Sequence, residues 1–264
     1  MPAHPALLPL RPSPPPTVAE LRETLRAITG DGHDRRPVLP FGIGAIDTRL
    51  ADGGLRLDAL HEVAGAGPGW SDDAAAMLFM AGIAARAWGP VLWVVRRQDL
   101  FAPGLYQAGL APHRLLYAEA RDDAELLALM EEGLRHRGLG AVIGEARRVS
   151  MPATRRLQLA AEGGRTVALL LRRHKRDGGC EETEPFSAPS AAVTRWHVGC
   201  APSAPLRVAG IGRARWRLAL ARQRGGDPFD TLVEAPDDTG RLALPAALAD
   251  RSAATGRART RAAA

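Results

Sequence analysis

The stretch "HEVAGAGPGWSDDAAAMLFMAGIAARA", His61 to Ala87, runs from a strand end through a glycine-rich turn into a helix. That is the layout of a phosphate-binding loop, in which backbone N–H groups and a helix N-terminus hold phosphate while a lysine reaches its terminal oxygens. Fitting G-x-x-x-x-G-K-[ST] from Gly65 puts its last three positions on Trp70, Ser71 and Asp72, and starting one residue earlier puts them on Gly69, Trp70 and Ser71. Neither register supplies the lysine. Lys175, far downstream, is the only lysine in the chain. Asp72 and Asp73 in the first helical turn complement the helix dipole themselves, and Ser71 is expected to cap it. A triphosphate would meet two carboxylates there, each repulsion worth roughly 1–4 kcal/mol at about 4 Å. The loop Gly65, Gly67, Gly69, Ser71, Asp72, Asp73 therefore reads as a degenerate phosphate site that holds no nucleotide cofactor, the alternative being a noncanonical mode that uses arginines such as Arg96 or Arg97.

Outward from this loop the pattern is regular. "PVLWVV" (90–95) and "TVALLLRR" (166–173) are apolar runs of the kind that form strands buried on both faces. "DDAELLALMEEGLRHRG" places Leu126, Leu127, Met130 and Leu134 on one helical face, and "MPATRRLQLAAEGG" carries Pro152 in its first turn. Strand and helix alternating in this rhythm predict an α/β fold, a mostly parallel sheet flanked by helices. "TRWHVGCAP" and "ARWRLALARQRGGDPFDTLVEAP" then predict antiparallel strands at the C-terminal edge, the last pair joined around Gly225-Gly226. Three segments are expected: residues 1–36 as a Pro-rich lead, a helical arm capped at Thr17 and a linker; 37–250 as the α/β domain; 251–264 as a disordered basic tail.

With 264 residues the chain is long enough for a full core, and 46% of it is hydrophobic. The formal charge is +6, and 34 of the 35 basic residues are arginine. Such usage follows from a GC-rich genome, and it also suits bidentate recognition of phosphate and carboxylate. Cys180 and Cys200 have neither CxxC spacing nor a zinc-type set around them, and no metal is expected. The proline-rich start is no secretory signal, and the apolar run Ala74 to Ala85 is too short to span a bilayer. A soluble, cytoplasmic protein without membrane contact is the expectation.

Candidate contact residues are Trp70, in the loop, and the arginines Arg213, Arg215, Arg217, Arg222 and Arg224. In "RARWRLAL" the arginines alternate with Ala214, Trp216, Leu218 and Leu220, which fits a surface for DNA or an acidic partner and equally a half-solvated strand. Trp70 reads either as an exposed interface anchor or as loop packing. "LRRHKR" (171–176) follows a central strand, where such sheets place ligands, and is otherwise a solvated loop. The histidines are scattered, and no catalytic constellation emerges.

"FGIGAIDTRLADGGLRLDALHEVAG", with Gly44, Ile46, Asp47, Leu50, Gly53, Gly54, Leu55, Glu62, Val63 and Gly65, resembles the segment that leads into the phosphate loop of RecA-type ATPases. Where that resemblance would place a catalytic Glu, this chain has Arg97 or Gln98. At the magnesium-associated acid it has Glu145, which otherwise reads as a surface acid at a strand end. "LHEVAGAGP", "GPVLWV" and the late "RWRLALARQRGGDPFDTLVEAP" pair more closely resemble the ImuA family. That resemblance implies a RecA-like, non-enzymatic accessory protein of the SOS response and damage-induced mutagenesis. Its implied partners in translesion synthesis are an ImuB-like, Y-family-related protein, an error-prone replicative-type polymerase and RecA. DNA contact and self-association through the N-terminal arm are further expectations. A SulA-like cell-division inhibitor and a divergent RecA-type ATPase are the alternative readings.

Overall fold

The apolar runs become the middle of one eight-stranded sheet in the computed structural model, which describes residues 36–147, 149–174, 184–203, 210 and 212–245 together with Thr17 and Glu20. The chain divides into Met1–Arg36 and Pro37–Ala264. In the first part Thr17 and Glu20 form a reciprocal capping pair. The Glu20 carboxylate accepts the Thr17 N–H at 2.7 Å, and Thr17 Oγ1 accepts the Glu20 N–H at 3.3 Å. The rest of the predicted arm, the Pro-rich lead and the basic tail lie outside the described residues.

In the second part the elements run β1 (Val38–Leu39), α1 (Gly44–Asp47), β2 (Leu55–Arg56), β3 (Leu60–Gly65), α2 (Trp70–Arg86), β4 (Val91–Val95), α3 (Ala102–Gln107), β5 (Leu115–Glu119), α4 (Asp123–Arg135), β6 (Ala141–Ala146), α5 (Met151–Gly164), β7 (Val167–Arg172), β8 (Thr194–Ala201), β9 (Arg215–Gln223) and β10 (Phe229–Glu234). The sheet order is β10-β9-β8-β3-β7-β6-β4-β5. From β5 to β8 all pairings are parallel, while β8–β9 and β9–β10 are antiparallel. This is the mostly parallel sheet with an antiparallel C-terminal edge that the sequence pattern predicts. The β9–β10 turn falls at Gly225, whose φ of 83° is left-handed and suits glycine.

Because strand residues alternate between faces, the sheet builds two cores. Val63, Trp93, Ile143, Leu169, Trp196 and Trp216 join Phe79, Met80 and Ile83 of α2 on one side. Val94, Val142, Ala168 and Leu170 meet Leu126, Met130 and Leu134 of α4 and Leu157 of α5 on the other. The alanines of α2 let its axis come close to β3 and β8. Its C-terminal carbonyls are gathered by Arg114, whose guanidinium donates to Ala85 O at 2.6 Å and Gly89 O at 2.9 Å. Asp47, part of the entry motif, has a local task. Its carboxylate accepts the N–H groups of Phe41, Gly42 and Ile43 at 2.7, 2.8 and 3.2 Å, closing the turn before α1.

Candidate functional site

The glycine loop is closed by its own chain. Helix α2 starts at Trp70 with Gly69 as its N-cap, so Ser71 lies inside the first turn, exposed, and does not cap the helix as expected. Asp72 instead turns back over the loop: Oδ2 accepts the Gly67 N–H at 3.0 Å and Oδ1 accepts the Cys200 N–H at 2.8 Å. Ala66 N–H also donates to Val198 O at 2.9 Å, which stitches the loop to β8. A carboxylate bonded to the loop amide does what a phosphate oxygen would do there. The approach is tight, since a Cβ on Gly65 would stand 3.1 Å from the Asp72–Asp73 peptide. Burial, and then the nearby Asp72 carboxylate, push the Cys200 thiol above its ordinary range, so it stays protonated and donates to Ser71 O at 3.5 Å.

Beneath the loop, acids and an arginine fill the ends of the central strands. Arg173, just past β7, donates from Nε and Nη2 to Glu145 Oε2 at 3.0 and 2.5 Å. Its Nη1 stands 3.4 Å from Asp73 Oδ2, and its Nη2 stands 3.6 Å from Asp99. Burial works against the guanidinium charge, but Glu145, Asp99 and Asp73 outweigh it and raise its pKa above the ordinary value. The second oxygen of Glu145 accepts the Trp93 indole N–H at 3.0 Å. Glu145 is thus a buried, fully engaged acid rather than a surface one. His174 is also buried. Its Nε2 lies 2.9 Å from Gly65 O, an acceptor only, so that nitrogen carries the proton. What remains in front of these groups is a cleft of about 310 Å³, with Trp70, Arg96, Arg97 and Arg147 around it.

On the opposite face of the sheet Glu62 of β3, fully buried, lies between two arginines. Arg172 Nη1 and Arg195 Nε each stand 2.8 Å from one of its oxygens. Arg195 also donates to Phe186 O at 3.0 Å and Ala188 O at 2.7 Å, which holds the 184–190 segment against β8. So the first residues of "LRRHKR" are structural: Arg172 and Arg173 point to opposite faces and each meets an acid of a neighbouring strand. Residues 175 and 176 lie outside the described residues. Sequence reasoning missed the triad, although the signal was there. Glu62 and Arg195 sit inside apolar strand runs, and a charge in such a run needs a partner.

The predicted contact arginines are not one surface. Arg213 precedes β9; it donates to Arg241 O at 2.8 Å and lies 3.8 Å from Glu234. Arg222 and Arg224 donate to Ser190 O at 3.0 Å and Ala191 O at 3.1 Å. Only Arg215 and Arg217 stay together, across from Glu234 and Leu232 of β10, with Arg217 exposed. Their apolar neighbours Trp216, Leu218 and Leu220 are buried as expected. Trp70 is 70% exposed at the mouth of the cleft.

Among the described residues no His, Cys, Asp and Glu group is placed to hold a metal ion, and no helix is long and apolar enough to cross a membrane. The fold defines an α/β domain, and an amide of its glycine loop is taken by the domain's own aspartate. No protein-family model matches the chain. It is 40% identical over 206 residues to Protein ImuA of Caulobacter vibrioides, in strain NA1000 / CB15N and again in strain ATCC 19089 / CIP 103742 / CB 15, covering 76% of this chain and 84% of each relative. The chain belongs to the ImuA family. Among solved structures, SulA from Pseudomonas aeruginosa matches at 25% identity and a TM-score of 0.37, over 43% of this chain and 97% of that one.

Proposed function

We propose that this chain is a non-catalytic accessory subunit of damage-induced mutagenesis, acting in error-prone translesion synthesis by holding other proteins together. Membership of the ImuA family supports the pathway. The observation that carries the non-catalytic part is Asp72 bonded to Gly67 N–H, with Arg173 bridging Asp73 and Glu145 behind it. Phosphoryl transfer needs a lysine on the phosphates, a hydroxyl on magnesium and a residue that orients the nucleophile. Of these the loop offers only the Ser71 hydroxyl, and no lysine. The partners in this reading are an ImuB-like protein related to Y-family polymerases, a replicative-type error-prone polymerase and RecA, in the cytoplasm of a cell under the SOS response.

Deleting the gene should lower mutation frequency after ultraviolet or mitomycin treatment and leave undamaged growth unchanged. Affinity purification of the tagged chain from treated cells should recover the ImuB-like protein and the polymerase. Unchanged mutation frequency in the deletion would refute the role, and magnesium-dependent ATP binding in calorimetry would refute its non-catalytic character.

A further inference from the structure

A trough of about 910 Å³ lies between the first turns of α4 and α5, beyond the ends of β6 and β7. Its floor is aliphatic, made by Leu127, Val149, Ala153 and Ala188, with Val149 and Ala153 buried. Arg96, Arg147 and Arg156 stand around it. Arg172 and Arg173 also reach its wall, but Glu62 and Glu145 neutralise them. Arg96 is paired with Asp123 at 3.0 Å, and Glu184, on the far wall, lies 3.3 Å from His197. Arg147 has no ion pair among the described residues, and the described partner of Arg156, Glu131, is 3.7 Å away. Among the described residues the trough therefore joins an apolar floor to a rim on which Arg147 has no ion pair and Arg156 only a long one.

We propose that it docks an acidic peptide segment of a protein partner: an aliphatic side chain enters the floor, and flanking carboxylates meet Arg147 and Arg156. Removing a branched side chain from water is favourable by about 25 cal/mol per Å² of apolar surface, and bidentate guanidinium–carboxylate pairs add direction. Single-stranded nucleic acid fits less well. Among the described residues no aromatic ring lines the trough, so a base finds no stacking partner there. The proposal goes beyond the accessory role and does not depend on it, because the same side chains would capture such a peptide in any pathway.

The test is display selection of a randomised peptide library on the immobilised full chain. The Ala153→Trp chain, with its floor filled, and the Arg147→Glu/Arg156→Glu chain, with its rim reversed, serve as counter-targets. The two reversals lie at the surface and keep the core intact, and thermal melts check that both variants fold. Recovered peptides should place Asp or Glu around Leu, Ile or Met. Synthesised singly, they should bind the original chain at least about tenfold more tightly than either variant, and more weakly as salt rises. Peptides without that composition, equal binding to the variants, or no recovered peptide would overturn the proposal. So would labelled oligo(dT) that binds the original chain and neither variant, which would assign the trough to nucleic acid.

Discussion

Asp72 reaches back along its own helix to take the N–H of Gly67 at 3.0 Å, and its other oxygen takes the N–H of Cys200 at 2.8 Å. One side chain thus fastens loop, helix and β8 together. Asp72→Ala should cost about 1–3 kcal/mol, the range for charge-assisted bonds to backbone donors. Asp72→Asn, which keeps an acceptor oxygen, should cost less. Urea unfolding of the three chains measures both differences, and equal midpoints would refute the fastening role.

Supplying the missing lysine should not create an ATPase. In Ser71→Lys or Asp72→Lys chains Arg173 still bridges Glu145 and Asp73 behind the loop, and no magnesium hydroxyl or catalytic acid is added. Phosphate release from magnesium-ATP should stay at background in both. Turnover in either would mean that the frame retains more of its chemistry than the closed loop allows.

Glu62 is the counter-charge of two buried guanidiniums. Glu62→Ala leaves both uncompensated and should cost about 3–5 kcal/mol, the range for breaking a buried pair. Adding Arg172→Met removes one orphaned charge and should recover part of that loss. A double-mutant cycle in urea measures the coupling; additive losses would show that the pair is energetically silent.

His61 makes stability depend on pH. It is buried in a chain of bonds: the Trp196 indole donates to Thr194 Oγ1 at 2.7 Å, the Thr194 hydroxyl donates to His61 Nδ1 at 2.7 Å, and His61 Nε2–H donates to Arg56 O at 2.8 Å. Burial lowers its pKa from 6.5 to about 4. The unfolded chain binds a proton that the fold refuses, so this contribution is complete above 6.5 and is lost as pH falls toward 4. The loss approaches about 3 kcal/mol at the acid end. Unfolding at about pH 7 and about pH 4.5 should show a steeper decline in the original chain than in His61→Gln; parallel declines would remove the assignment.

How much of this was legible in the sequence depends on the range of the interaction. The alternation of "VLWVV", "DDAELLALMEEGLR" and "VALLLR" is local, and it predicted the sheet and its helices. The missing lysine was equally plain. The task of Asp72 was not, because its second partner, Cys200, is brought beside it only by β8. Glu145 read as a surface acid for the same reason: Trp93, on β4, and Arg173, just past β7, reach it only in the folded chain. The row of arginines from Arg213 to Arg224 looked continuous, yet most bond carbonyls of segments that approach only in the folded chain.

The end of β7 sets a further limit on how this chain can vary. Arg172 answers an acid on one layer and Arg173 an acid on the other, so the tip is keyed to both cores at once. Loss or gain of a single residue between Val167 and Arg172 would carry each guanidinium to the opposite face and shift it by about 3.3 Å along the strand, away from the acid it now meets. Substitutions elsewhere in the strand leave these two pairings in place, whereas a change in its length displaces both. Natural relatives that keep both acids should therefore keep the spacing of this strand, even where the loops on either side differ in length.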